Sequence, residues 1–253
     1  MPRNARRKSE TGIYHIMMRG INRQCIFEDE EDCEKILQTL EKYREKSGYE
    51  IYAYCLMGNH LHLLLKVGKE PFEQVMRRIC GSYVYWYNLK YNRIGNLFQD
   101  RFKSEPVEDE KYFLTVLRYI HQNPLKAGLI KDLSMYEWSS YLEYISKARL
   151  VKTAYVLESL NKDRDKAIKI FMEYNNALID DMCLDIDDKN RTTDEEAKII
   201  IKKVCKVNSP TELQSIDNKS RNEYLSELKN KFKLSIRQLE RLTGINRGII
   251  SRA

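Results

Sequence analysis

The chain has 253 residues, a formal net charge of +7 and 42% hydrophobic residues, enough for one large or two modest domains with a real core. No apolar run approaches the roughly 20 residues of a membrane helix, and the six cysteines form no C-x-x-C pair. A disulfide framework, a cysteine-built zinc site and a membrane partner are therefore not expected, and a reduced, cytoplasmic protein is. The positive balance favours a polyanionic partner. Tyrosine stands out, at 17 against 7 phenylalanines and 2 tryptophans, and suits either a core or stacking on single-stranded bases.

In chain order, Met1 to Lys8 carries Arg3, Arg6, Arg7 and Lys8 with no apolar segment behind them, so a basic arm is expected. Residues 11–19 (TGIYHIMMR) read as a first strand, broken by Gly20 before a polar loop with Asn22 and Arg23. His15, in mid-strand, reads first as a hydrogen-bonded sheet histidine. The spacing of Cys33, Ile36, Leu37 and Leu40 predicts a helix over 29–46, stopped at Gly48. Residues 49–56 predict a second strand. Met57-Gly58-Asn59 then turns into a third, His60-Leu61-His62-Leu63-Leu64-Leu65, giving an antiparallel hairpin. Side chains at i and i+2 leave a strand on the same face, so His60 and His62 project together while Leu61 and Leu63 go the other way. Such a pair can offer two nitrogen ligands to one divalent metal. It can equally be two half-exposed sheet histidines with hydrogen-bond partners.

Residues 71–91 predict a second helix, with Val75, Ile79, Tyr83, Trp86 and Tyr87 on one side and Arg77, Arg78 and Lys90 elsewhere. A basic loop with Phe98 and Phe102 follows over 92–103 (NRIGNLFQDRFK), then a short strand over 104–107. A third helix is predicted over 109–123, acidic in its first turn and ended by Pro124. Its apolar set is Phe113, Val116, Leu117 and Ile120. Tyr119 and Asn123 are four apart and share a face, whereas His121 points away from Tyr119. Residues 129–147 predict a turn and a short helix around Trp138 and Tyr141.

Past about residue 150 strand patterning stops. Helices are predicted over 154–160, 165–181, 193–205, 211–216 and 221–232, with Asp180, Asp181, Asp185, Asp187 and Asp188 in a solvated acidic loop. The end, SIRQLERLTGINRGIISRA, offers an N-cap at Ser235, a tight turn at Gly244 and a second helix from Asn246. That is helix-turn-helix spacing, over 233–253. Two domains are expected, 1–148 and 149–253. No P-loop, G-x-G-x-x-G or G-x-S-x-G is present, so no nucleotide cofactor is expected.

Four segments, YHIMMRGINR, MGNHLHLLLK, FQDRFKS and YFLTVLRYIHQNPLKAGLI, together resemble the HUH single-tyrosine transposase family, and within it the REP-associated tyrosine transposases and their insertion-sequence relatives. The resemblance implies an α+β fold, a ferredoxin-like antiparallel sheet with helices on one face. Here it would be followed by an all-α region ending in the helix-turn-helix. It implies His60 and His62 as metal ligands, Tyr119 as the nucleophile and Asn123 as third ligand, around Mg²⁺ or Mn²⁺. The implied reaction is cleavage and rejoining of single-stranded DNA at hairpin-bearing sites, through a covalent 5′-phosphotyrosine, by a homodimer. Basic candidates for DNA contact are Arg19, Arg23, Arg77, Arg78, Arg101 and Lys103 in the first domain and Arg237, Arg247 and Arg252 in the second. Two other readings share these motifs. One is a transposase-derived DNA-binding regulator without cleavage. The other is a rolling-circle replication initiator, for which an ATPase-helicase domain would be expected.

Overall fold

The computed structural model describes residues 6–99, 101–177, 183–184, 194–232 and 234–253. Two compact units divide the chain, Met1–Asp185 and Ile186–Ala253. The first begins β1 (Ile13–Arg19), α1 (Glu30–Ser47), β2 (Glu50–Met57), β3 (His60–Lys66), α2 (Phe72–Lys90), β4 (Lys103–Pro106). The four strands lie in the order β2-β3-β1-β4, every neighbouring pair antiparallel. This is the split βαβ arrangement of ferredoxin-like sheets. Local chemistry sets the boundaries. The Asp29 side chain accepts from Asp32 N to open α1, and Gly48 closes it in the left-handed conformation at φ 69°.

α1 and α2 cover one face of the sheet: Tyr14 of β1 stacks on Phe72 with ring centroids 4.2 Å apart, and Cys80 Sγ lies 3.2 Å from Met18 Sδ. The expectation of helices on one face only is corrected by α3 (Glu110–Lys126), which lies across the other. There Phe113 meets Tyr52 edge-on at 5.2 Å. α4 (Tyr141–Ile145), α5 (Thr153–Leu160) and α6 (Arg164–Asn176) back α3. The reason lies in the strands. β1 and β3 are buried along nearly their whole length rather than at alternate residues, and strands buried on both faces need two covering layers.

α3 also runs past its predicted end. Pro124 sits inside the helix, which continues to Lys126. Tertiary contacts override the local bias before proline: Pro124 is buried, Ala127 N donates to Asn123 O at 2.9 Å, and Gln122 is clamped to the end of α6. The first unit likewise extends beyond residue 148. Phe171 of α6 stacks on Tyr144 at 4.4 Å, and Tyr155 of α5 tilts against Tyr52 at 5.1 Å. The change of pattern near residue 150 marks the end of the sheet, not of the core. The outer edge of β2 is also closed, since Leu56 N donates to Trp138 O and Ser140 N to Tyr54 O, at 2.9 and 3.0 Å.

The second unit is all-α: α7 (Asp194–Cys205), a 3-10 turn (Pro210–Ser215), α8 (Asn218–Asn230), α9 (Ile236–Thr243) and α10 (Arg247–Arg252). Ile201, Leu213, Leu225, Leu228, Leu239 and Ile250 form its core. Ser235 and Asn246 cap α9 and α10, and Gly244 takes the left-handed conformation between them at φ 73°. Asp180, Asp181, Asp185, Asp187 and Asp188 lie outside the described residues. No described helix is long and apolar enough to cross a membrane.

Candidate metal and nucleophile site

β3 lies inside the sheet, with β2 on one side and β1 on the other. Its register with β1 pairs His60 with Arg19, His62 with Met17 and Leu64 with His15. Cross-strand partners share a face, so His15, Met17, Arg19, His60 and His62 all project beneath α3. The His60 and His62 rings are 5.1 Å apart and nearly perpendicular, at 84°. His60 Nδ1 lies 2.7 Å from Asn59 Oδ1. His62 is fully buried, with Nδ1 3.0 Å from His15 Nε2. Its other nitrogen, Nε2, is buried without a protein hydrogen-bond partner. Burial pushes the His15 pKa down to about 3. Burial, then the neighbouring His15 and His60, hold His62 well below the usual range. Both imidazoles are therefore neutral near pH 7, the form in which a histidine can bind a metal.

α3 presents Tyr119 to this face. Its ring is buried and stands edge-on to His62 at 5.6 Å and to His15 at 5.8 Å, with Lys126 Nζ 5.3 Å from the ring centroid. One turn on, Asn123 Nδ2 donates to Tyr119 O at 3.0 Å, which leaves Oδ1 as the amide's acceptor atom. The opposite side of α3 is an anchor. His121 Nδ1 donates to Asn175 Oδ1 at 2.9 Å and Nε2 accepts from Ser140 Oγ at 2.8 Å, while burial lowers its pKa to about 4. Gln122 Nε2 donates to Asn175 O and Ala177 O, at 2.7 and 2.9 Å.

The donor set fits a divalent cation through the imidazoles of His60 and His62, the second with a buried nitrogen lacking any protein partner. Among the described residues no three His, Cys, Asp or Glu side chains gather as ligands, so an amide oxygen or water would have to complete the set.

The basic candidates are distributed unevenly. Arg19 is the register partner of His60, and Lys103 that of Met17. Arg101 and Lys103 line an open cavity of about 350 Å³ with Arg6, Phe102, Ser104 and Leu184, where the Arg6 guanidinium lies 3.8 Å over the Phe102 ring. Arg23, at φ 62°, sits in the loop whose carbonyl accepts from Asn59 Nδ2. Arg77 and Arg78 do not join this group. They are on α2, against the opposite face, and Arg78 Nη1 donates to Glu70 Oε2 at 2.6 Å. In the second unit Arg237 is exposed, Arg247 bonds Glu240, and Arg252 Nε donates to Gly248 O at 2.9 Å. Sequence reasoning gave no site role to Asn59 and read His15 first as structural. Asn59 was visible as the polar neighbour of His60, but the contact between His15 and His62 depends on strand register.

The chain is similar in sequence and fold to known tyrosine transposases. Residues 8–123, a little under half of the chain, match the family described as "Transposase IS200 like". It is 26% identical over 102 residues to the REP-associated tyrosine transposase of Escherichia coli (strain K12), covering 40% of this chain and 59% of the relative. A Haemophilus influenzae relative is also 26% identical, over 117 residues, covering 41% of this chain and 63% of the relative. The chain thus spans less than two thirds of the length of either. A solved REP-associated tyrosine transposase bound to a REP hairpin superposes with a TM-score of 0.50 at 20% identity, over 58% of this chain and 87% of that one. At that identity the likeness speaks for the fold.

Proposed function

We propose that the first unit cleaves and rejoins single-stranded DNA at hairpin-bearing sites, with Tyr119 as nucleophile and His60, His62 and Asn123 as ligands of Mg²⁺ or Mn²⁺. The observation that carries this reading is the buried His62 Nε2, without a protein partner, on an imidazole in edge contact with the Tyr119 ring. When bound, the cation would polarise a non-bridging oxygen of the scissile phosphate and offset charge in the transition state. The Tyr119 hydroxyl would attack phosphorus in line. A bond forms from Tyr119 Oη to phosphorus as the P–O3′ bond breaks, the phenol gives up its proton and the departing 3′ oxygen takes one. The 5′-phosphotyrosine retains the phosphodiester energy, so a second 3′-OH can reverse the step and rejoin a strand. Arg19, Arg23, Arg101 and Lys103 would hold phosphates along the histidine face. We further infer that α9 and α10 act as a helix-turn-helix presenting Arg237 to DNA, and that the protein works as a homodimer.

The test uses a 3′-labelled oligonucleotide carrying a hairpin and a flanking cleavage site, with Mn²⁺ or Mg²⁺. Wild type should yield a protein–DNA adduct that survives denaturation. Tyr119→Phe should yield none, and His62→Ala should slow adduct formation about 100-fold or more, the equivalent of a few kcal/mol of lost charge stabilisation. DNA binding by wild type without any adduct would instead support a regulator that has left the chemistry behind.

A further inference from the structure

We propose that Asn59 and His15 are positioning residues that fix the imidazole protons of His60 and His62 on Nδ1, so that both present Nε2 as a lone pair to the same side. The inference rests on the metal reading given above and adds two residues to it.

A neutral imidazole carries one N–H. To bind a cation through Nε2 it must keep that proton on Nδ1, and an acceptor for Nδ1–H both fixes the tautomer and orients the ring. At His60 the acceptor is unambiguous. Asn59 Oδ1 lies 2.7 Å from His60 Nδ1, and the other end of the same amide, Nδ2, donates to Arg23 O at 3.4 Å. An amide oxygen can only accept, so the proton is on His60 Nδ1. The Arg23 carbonyl that steers the amide comes from a loop with two successive left-handed residues, Asn22 at φ 51° and Arg23 at φ 62°. Asn59 thereby ties the loop after β1 to the first histidine.

At His62 the partner is another imidazole. Its Nδ1 and His15 Nε2 are 3.0 Å apart, so one proton lies between them. If His15 donated it, His62 would carry its own proton on Nε2, a buried N–H without a protein acceptor and useless as a ligand. If His62 donates it, His62 Nε2 is a lone pair and His15 keeps its proton on Nδ1, a nitrogen also buried without a protein partner. Only the second arrangement matches His60. The sheet delivers it, because His15 stands two residues before Met17, the register partner of His62.

Imidazole ¹⁵N labelling and long-range ¹H–¹⁵N correlation spectra of the metal-free protein at neutral pH read the tautomers directly. His60 and His62 should both appear as Nδ1–H in wild type. Asn59→Ala should release His60 into a mixture, whereas Asn59→Asp, which keeps the acceptor, should hold it. In a separate titration followed by electron paramagnetic resonance, Asn59→Ala should weaken Mn²⁺ binding about 10- to 100-fold, and Asn59→Asp should restore it. An Nε2–H signal from His62 in wild type, or Asn59→Ala binding Mn²⁺ like wild type, would overturn the proposal. Nδ1–H tautomers in a protein that binds no Mn²⁺ would support the proton positions and overturn the metal reading on which they were built.

Discussion

Among the four histidines, partners separate roles more clearly than sequence context does. His15, His62 and His121 are all buried, yet His121 has both nitrogens bonded within the anchor of α3, while His15 and His62 each keep one nitrogen without a protein partner. His121 carries a pH dependence. Its pKa is about 4 in the folded protein against 6.5 as the ordinary value. Between those values the unfolded chain binds the proton and the folded chain does not, so stability is full above pH 6.5 and falls as pH drops toward 4. The loss amounts to about 3 kcal/mol. Urea unfolding at pH 7 and pH 4.5 should show it, and His121→Gln should flatten the slope; equal slopes in both proteins would refute the assignment. Much of this scale is legible in sequence. The i, i+2 spacing of His60 and His62 and the i, i+4 spacing of Tyr119 and Asn123 put each pair on one face. The meeting of His15 with His62 is not, because 47 residues separate them and a slip of one residue in register would send His15 to the other face.

Elements were legible where local chemistry ends them and illegible where packing does. Asp29, Gly48, Ser235 and Gly244 mark the helix ends that their side chains or backbone preferences predict. Pro124 does not mark the end of α3, because the contacts holding that end come from α6 and are absent from the local sequence. The two-sided cover of the sheet had a trace in the unbroken runs Ile16-Met17-Met18 and Leu63-Leu64-Leu65, which do not alternate as a one-sided strand would. Two glycines test the element-level account with opposite signs. A Cβ on Gly68 would lie 2.0 Å from Gly48 O and 2.8 Å from Ser47 O. Backbone meets backbone there, so Gly68→Ala should destabilise by about 2 kcal/mol or more. Gly81, exposed within α2, has nothing within 4 Å of that position, and Gly81→Ala should stabilise by about 0.5–1 kcal/mol. Urea titration of both variants reads the pair, and a shared sign would contradict the geometry.

For the whole molecule, the division into Met1–Asp185 and Ile186–Ala253 has a consequence for truncation. A fragment ending at residue 185 keeps Phe171 and Asn175 and should melt cooperatively in circular dichroism. A fragment ending at residue 148 loses α5 and α6, leaves His121 Nδ1 and Gln122 Nε2 without their partners, and should lose that cooperative transition. An equal midpoint for both fragments would show that the sheet and α3 suffice alone. The α+β fold class was an expectation from the family resemblance, and the order of strands and helices agrees with it. The extent of the first unit was not readable in the sequence, since α5 and α6 contribute to its core through aromatic contacts rather than through any strand pattern.

The anchoring of α3 also bears on how this sequence can change. Tyr119 faces the sheet histidines with Asn123 one turn on, while His121 and Gln122, interleaved with them, bond to the end of α6. One residue inserted or deleted between Tyr119 and His121 would turn Tyr119 by about 100° against His121, Gln122 and Asn123 together. The proposed chemistry and the architecture here share a single reading frame of the helix. Point substitutions can tune Tyr119 and its neighbours one at a time, but a length change in this segment would disable the site or unseat the helix, with no intermediate that keeps both.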